Sequence, residues 1–192
     1  MSETPEMKTT KKKFLSIQNM ATIAVLTAVT CSLAPLSITI PISPVPISLT
    51  NLVIYFGLYI LGWKKETVSY FIYLLLGLVG LPIFSGGTSG PAKLAGPTGG
   101  YLIGFIFMTI IAGIIIDKFS KNMIVCLLGM ILGTAVCYAF GTVWLAVSAH
   151  MTAQAALAAG VLPFIPGDLV KMILAMLIGP QIRKALIRAD LF

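Results

Sequence analysis

Leu162-Pro163-Phe164-Ile165-Pro166-Gly167-Asp168-Leu169-Val170-Lys171-Met172-Ile173-Leu174 sets an acid and a base three residues apart inside an apolar run. Residues at that spacing share one face of a helix. On insertion scales, a charged side chain at the centre of a membrane helix costs about 2.5–3.5 kcal/mol. Such a pair therefore asks for compensation, from each other, from a polar ligand or from a proton path. What surrounds the run decides whether it is a membrane helix.

The surroundings are apolar almost throughout. Of 192 residues, 58% are hydrophobic and 10% charged, and the mean hydropathy is +1.01. Ordinary soluble domains do not have that composition. The length suits one domain, so residues 1–192 are expected to form a single membrane domain, with a basic cytoplasmic tail over 1–15 and a bundle over about 17–188. Six apolar segments stand out, at 17–36, 49–63, 67–81, 99–116, 123–147 and 169–182. Several fall short of the ~20 residues that cross a bilayer untilted, so flanking residues extend them or the bilayer thins locally. A β-barrel is disfavoured, because the runs lack alternating polarity.

Charge gives the orientation. Eleven of the 13 Lys and Arg residues lie in four places: the N-terminal tail, Lys64-Lys65, Lys118 with Lys121, and Arg183, Lys184 and Arg188 at the end. Only Lys93 and Lys171 lie elsewhere. By the positive-inside rule, six helices with both termini inside satisfy every cluster. The basic charge reads as topology, and no nucleic-acid partner is expected. The basic tail followed by an apolar run imitates a secretory signal. Thr30-Cys31-Ser32 is only a weak cleavage match, so an uncleaved first helix is expected.

The three outer junctions are unusual. Pro41, Pro44 and Pro46 stiffen the first, and its apolar neighbours suit a cap over the helices. The second runs from Gly86-Gly87-Thr88 to Gly99-Gly100 and is dense in glycine. Such backbone is tolerated at membrane depth where it lines a cavity or is buried in protein. The third, from His150 to Gly160, is rich in alanine and suits a short helix.

Several chemistries are disfavoured. No Gly-Lys pair is present for a phosphate-binding loop. His150 is the single histidine and lacks thiolate or carboxylate neighbours for a metal. Cys31, Cys126 and Cys137 fall in apolar segments and read as packing residues. No metal, cofactor or covalent chemistry is expected.

The bland readings of the pair remain open here: Asp168 as a helix N-cap after Pro166-Gly167, and Lys171 snorkelling to the surface. Asn51 near the outer end of the second segment is a candidate ligand contact. Tyr55, Tyr59, Tyr70, Tyr73, Tyr101, Tyr138 and Trp144 read mostly as belt or packing residues. Ala24, Ala28 and Ser32 recur every four residues, a small-residue stripe suited to close approach by another helix, within the bundle or from a separate subunit.

Three motifs, in this order and spacing, carry a resemblance. They are Ser43-Pro44-Val45-Pro46-Ile47-Ser48-Leu49, the stretch from Gly77-Leu78-Val79-Gly80-Leu81-Pro82 through Gly86-Gly87-Thr88 to Gly96-Pro97-Thr98-Gly99-Gly100-Tyr101, and Phe164-Ile165-Pro166-Gly167-Asp168-Leu169-Val170-Lys171. The chain resembles the biotin-specific substrate-binding components (S components, BioY family) of energy-coupling-factor vitamin transporters. The resemblance implies an all-α integral membrane protein of six transmembrane helices in a bacterial cytoplasmic membrane, with Pro- and Gly-rich loops capping an outward-facing pocket. It implies biotin as ligand, a transmembrane coupling subunit and two ATP-binding subunits as partners, and no enzymatic activity. By position, Asp168 and Lys171 match the family's binding acid and base, with Thr88, Gly87, Asn51 and Tyr101 as further ligand-binding candidates. Backbone N–H groups of the glycine loop, Thr88, Thr98 and Lys93 are candidates for the carboxylate. Pro41, Pro44 and Pro46 fall in the lid loop, and Ala24 and Ala28 in the docking stripe. Family members often have Gln at Thr50, and some have Asn at Thr88 and Arg at Leu102. An S component for another small vitamin and a proton-coupled carrier are the alternatives.

Overall fold

The computed structural model describes residues 16–189; the basic tail expected over 1–15 lies outside them. Eight helices follow in chain order: α1 (Ile17–Leu33), α2 (Thr50–Leu61), α3 (Trp63–Leu78), α4 (Pro91–Ala95), α5 (Gly99–Lys118), α6 (Met123–Ser148), α7 (Ala153–Gly160) and α8 (Ile165–Arg188). Among the described residues, α5, α6 and α8 are long and apolar enough to cross a membrane, and α1 and α2 are shorter apolar helices.

Local chemistry fixes the helix ends. The Ser16 hydroxyl accepts from the Asn19 N–H to cap α1, and Asn122 and Thr152 cap α6 and α7 in the same way. Gly62, at φ 77°, turns the chain sharply between α2 and α3. The freed Trp63 N–H at the start of α3 donates to Asp117 Oδ2 of α5 at 3.2 Å. The α2–α3 turn is thereby pinned beside the α5–α6 turn.

α2 packs on α8, α3 between α1 and α5, and α5 closely on α6, with α7 folded onto α6. The α5–α6 approach depends on missing side chains. A Cβ on Gly104 would lie 3.0 Å from the Cys137 backbone, and one on Gly100 would strike Trp144. Tyr55, Tyr70, Tyr73, Leu58, Met108 and Leu145 fill the core. Two core tyrosine hydroxyls have partners, Tyr70 donating to the Leu102 carbonyl at 2.9 Å and Tyr73 to the Ile83 carbonyl at 3.3 Å, whereas the Tyr59 hydroxyl has none among the described residues. The outside of the bundle is rich in exposed Leu, Ile, Val and Phe, as at Phe71, Ile124, Leu128, Val143 and Val147. A surface of that kind suits a hydrocarbon solvent.

The loops add detail to the all-α expectation. The first outer junction forms a short antiparallel ribbon, β1 (Ser37–Ile38) with β2 (Ile47–Ser48), in register Ser37↔Ser48 and Ile38↔Ile47. Pro41 and Pro44 lie exposed in its connecting loop, while Val45 is buried. The Gly-rich junction contains a helix the sequence did not suggest, α4, opened by Pro91 at its first turn. That junction is tied down: the Gly86 N–H donates to the Pro35 carbonyl at 3.1 Å and the Gly90 N–H to the Gly77 carbonyl at 2.8 Å.

Candidate ligand-binding site

α8 begins at Ile165 with Pro166 in its first turn, where a missing N–H costs nothing. Asp168 therefore sits inside the helix instead of capping it, at the end where the helix dipole favours negative charge. Its carboxylate is held by side chains from three helices. Oδ1 accepts from Asn51 Nδ2 of α2 at 2.7 Å and from Lys171 Nζ at 3.1 Å, and Oδ2 accepts from the Tyr138 hydroxyl of α6 at 2.6 Å.

Lys171 does not snorkel. Its ammonium donates to Asp168 Oδ1, to Asn51 Oδ1 at 2.9 Å and to the Ser48 carbonyl of β2 at 2.8 Å. An ammonium has three N–H donors, so all are engaged. Asn51 closes the ring: its amide NH₂ faces the acid and its carbonyl faces the base. The side chains of Lys171 and Asp168 are only 12% and 8% exposed. Removing one member of such a buried pair costs about 3–5 kcal/mol, because the other charge is left unpaired.

The ring forms one end of a cavity that opens to solvent. Tyr73, Leu102, Phe105 and Phe164 give it an apolar, largely aromatic wall, and Val45 and Pro46 of the first junction close over it. Thr134 lies in the lining, with its hydroxyl 2.6 Å from that of the buried Tyr55. Ser85 and Thr98 supply further hydroxyls. A ligand suited to this space has a compact polar head able to both donate and accept, and an apolar body.

The structure brings Asp168, Lys171, Asn51 and Tyr101 to the cavity. The Tyr101 hydroxyl is already used, donating to the Gly160 carbonyl at 2.8 Å and holding α7 in place, so only its ring surface is available. Gly87 and Thr88 lie outside the lining. They form a tight turn in which the Thr88 hydroxyl donates to the Ser85 carbonyl at 3.0 Å, and Ser85 is the residue of that turn that reaches the cavity. Of the lid prolines, Pro46 lines the cavity. Lys93 sits on α4 outside the lining, where partial burial lowers its pKa from the usual lysine value. Ala24 and Ala28 are exposed on α1. Sequence reading missed two participants. Tyr138 had a signal, since it lies deep inside α6 and belt aromatics sit at helix ends. The Ser48 carbonyl had none.

These features are those of a helical membrane protein with a candidate small-ligand cavity. Comparison with known proteins makes the class specific. The family described as BioY family matches residues 7–188, and the chain belongs to that family. It is 35% identical over 147 residues to the biotin transporter BioY of Thermotoga maritima, covering 77% of this chain and 86% of that one. It is 32% identical over 170 residues to the biotin transporter BioY2 of Lactococcus lactis, covering 88% and 92%. Among solved structures it is similar to the S-component for biotin from an ECF-type ABC transporter, with TM-score 0.81 and 33% identity over 88% of this chain and 92% of that one. The family is one of transporters, and the chain is a membrane protein.

Proposed function

We propose that this chain is the biotin-binding subunit of an energy-coupling-factor transporter, taking biotin from the outer face of the cytoplasmic membrane. The observation that carries the reading is the Asp168–Lys171–Asn51 ring at the end of an aromatic cavity, in a chain of the BioY family. Biotin's ureido ring offers two N–H donors and one carbonyl acceptor. Asp168 is an acceptor only and Lys171 a donor only, so the pair matches that head group, and charge-assisted bonds are the stronger kind. The sulfur-containing ring and alkyl chain suit Tyr73, Leu102 and Phe105.

Lys171 has no idle N–H, so the ureido carbonyl must displace one of its present acceptors. The Ser48 carbonyl is the one on a loop. Ligand entry thus exchanges a bond from β2 for a bond to biotin, which links the site to movement of the first junction.

The six spans of this reading are α1, α2, α3, α5, α6 and α8, in one membrane domain with both termini inside. The α2–α3 turn lies against the α5–α6 turn through Trp63 and Asp117, and Arg183 near the end of α8 donates to the Tyr59 carbonyl at 3.3 Å. These contacts gather three basic clusters at one end, as the positive-inside rule requires. The exposed Ala24–Ala28 stripe is the proposed contact for a transmembrane coupling subunit, with two ATP-binding subunits completing the transporter. Titration calorimetry of the purified chain with biotin tests the assignment: saturable one-to-one binding is expected, and no binding by the intact chain would remove it.

A further inference from the structure

A second cavity lies at the opposite end of the bundle from the ligand site. A Cβ on Gly179 of α8 would lie 2.8 Å from the Tyr59 ring of α2, so the two helices meet closely there. Beyond that contact, Pro180, Arg183, Lys184 and Ile187 of α8 face Leu61 and Gly62 of the α2–α3 turn and Ile116, Asp117 and Ser120 of the α5 end. They border a solvent-open cavity of about 400 Å³. On the proposed topology this is the cytoplasmic boundary of the bilayer.

The cavity is basic in effect. Arg183 spends one N–H on the Tyr59 carbonyl, which holds its guanidinium at the wall. Asp117 is the one acid in the lining, and its Oδ2 is turned to the Trp63 N–H. Among the described residues the ion pair is Lys171 with Asp168, so Asp117 forms none with Arg183 or Lys184, and the lining carries two cations to one acid. Two cations and the Ser120 hydroxyl are left facing an open space.

The cavity adjoins a groove of very different character. Val25 and Val29 of α1 with Val53, Phe56 and Ile60 of α2 line an almost wholly apolar channel. Leu61 lines both spaces, and the consecutive residues Leu186 and Ile187 line one each. On α1 the groove runs from Gln18 to Leu33, about 22 Å at the helical rise, against about 15 Å of hydrocarbon in one leaflet. It begins at the basic end and runs towards the bilayer centre.

We propose that this continuous pair is a binding site for an anionic phospholipid of the inner leaflet, its phosphate held by Arg183 and Lys184 and one acyl chain lying along the α1–α2 groove. A basic pocket between helices on the cytoplasmic side is the chemistry that recognises such head groups. The apolar groove by itself accepts any chain; the two cations at its inner mouth select a lipid with net negative charge. The occupied groove covers the side of α1 next to the exposed Ala24 and Ala28, so the lipid borders the proposed partner contact.

Native mass spectrometry of the full chain, released from vesicles of phosphatidylglycerol mixed equally with phosphatidylcholine, tests this. Phosphatidylglycerol is expected to be retained on the order of tenfold more than phosphatidylcholine. The double substitution Arg183→Gln with Lys184→Gln should bring the two lipids to parity while biotin affinity stays unchanged, which also shows that the variant is folded. Val25→Trp, which fills the groove, should reduce retention of both lipids. Equal retention by the natural chain, or a preference that survives the double substitution, would overturn the proposal. Displacement of bound lipid by millimolar inorganic phosphate would also overturn it, by assigning the cavity to a soluble anion. Loss of biotin binding by the natural chain would count against the transport reading and leave the lipid result to stand on its own.

Discussion

Asp168 and Glu66 are both carboxyl groups buried inside the bundle, at 5% and 0% exposure. Asp168 meets an amide, a hydroxyl and an ammonium from three helices and borders a cavity. Glu66, in the first turn of α3, fills the space left by the missing side chain of Gly57 and packs near Leu26. Neither of its oxygens has a hydrogen-bond partner among the described residues, and it lines none of the cavities described above. Burial of an acid is therefore not what marks a site here. Convergent donors beside open space are, and sequence distance gives no hint of them: Asn51 and Asp168 are separated by 117 positions.

Substitutions sharpen the contrast. Lys171→Ala leaves Asp168 buried without its counter-charge, a loss of about 3–5 kcal/mol. Biotin affinity measured by calorimetry should fall by two orders of magnitude or more, given that 1.4 kcal/mol is tenfold. Tyr138→Phe removes one hydrogen bond to the carboxylate, worth about 1.5–3 kcal/mol for a charged partner. Its affinity loss should be about tenfold or somewhat more, smaller than for Lys171→Ala, with a modest fall in Tm. Glu66→Leu replaces an unpartnered polar group by an apolar one of similar size. It should leave biotin affinity unchanged and raise stability by about 1–3 kcal/mol, the cost of the unsatisfied group, read as a higher Tm in detergent. A loss of biotin binding in Glu66→Leu would break the comparison.

Hydropathy made most of the bundle legible. The segments at 99–116 and 123–147 recur almost unchanged as α5 and α6, because an apolar run bounded by Gly-Gly, Lys and Asn leaves little choice of ends. The alanine-rich third junction holds α7 as expected. α4 and the β1–β2 ribbon were not legible. α4 is only 5 residues long and the ribbon 2 per strand, and each is held by contacts with other parts of the chain rather than by its own periodicity. At the site, Asp168 and Lys171 announced themselves as charges in an apolar run. Of their partners, Asn51 was a candidate contact by its place near the outer end of the second segment, Tyr138 was grouped with belt and packing residues despite its place inside α6, and Ser48 contributes a backbone carbonyl that every residue possesses. The capping reading of Asp168 failed because α8 starts at Ile165, so the carboxyl projects from within the first turn towards α2 and α6.

The central claim is that the Lys171 ammonium reads the ureido oxygen of biotin. It is tested most directly by comparing biotin with 2-iminobiotin, in which that oxygen is replaced by an N–H that donates where biotin accepts. A site built to hydrogen-bond a group rejects an analogue lacking it strongly. The natural chain should bind 2-iminobiotin about a hundredfold or more weaker than biotin, and Lys171→Ala should shrink that gap to a few-fold by weakening biotin alone. Similar affinities of the natural chain for the two ligands, or a gap that Lys171→Ala leaves intact, would contradict the account.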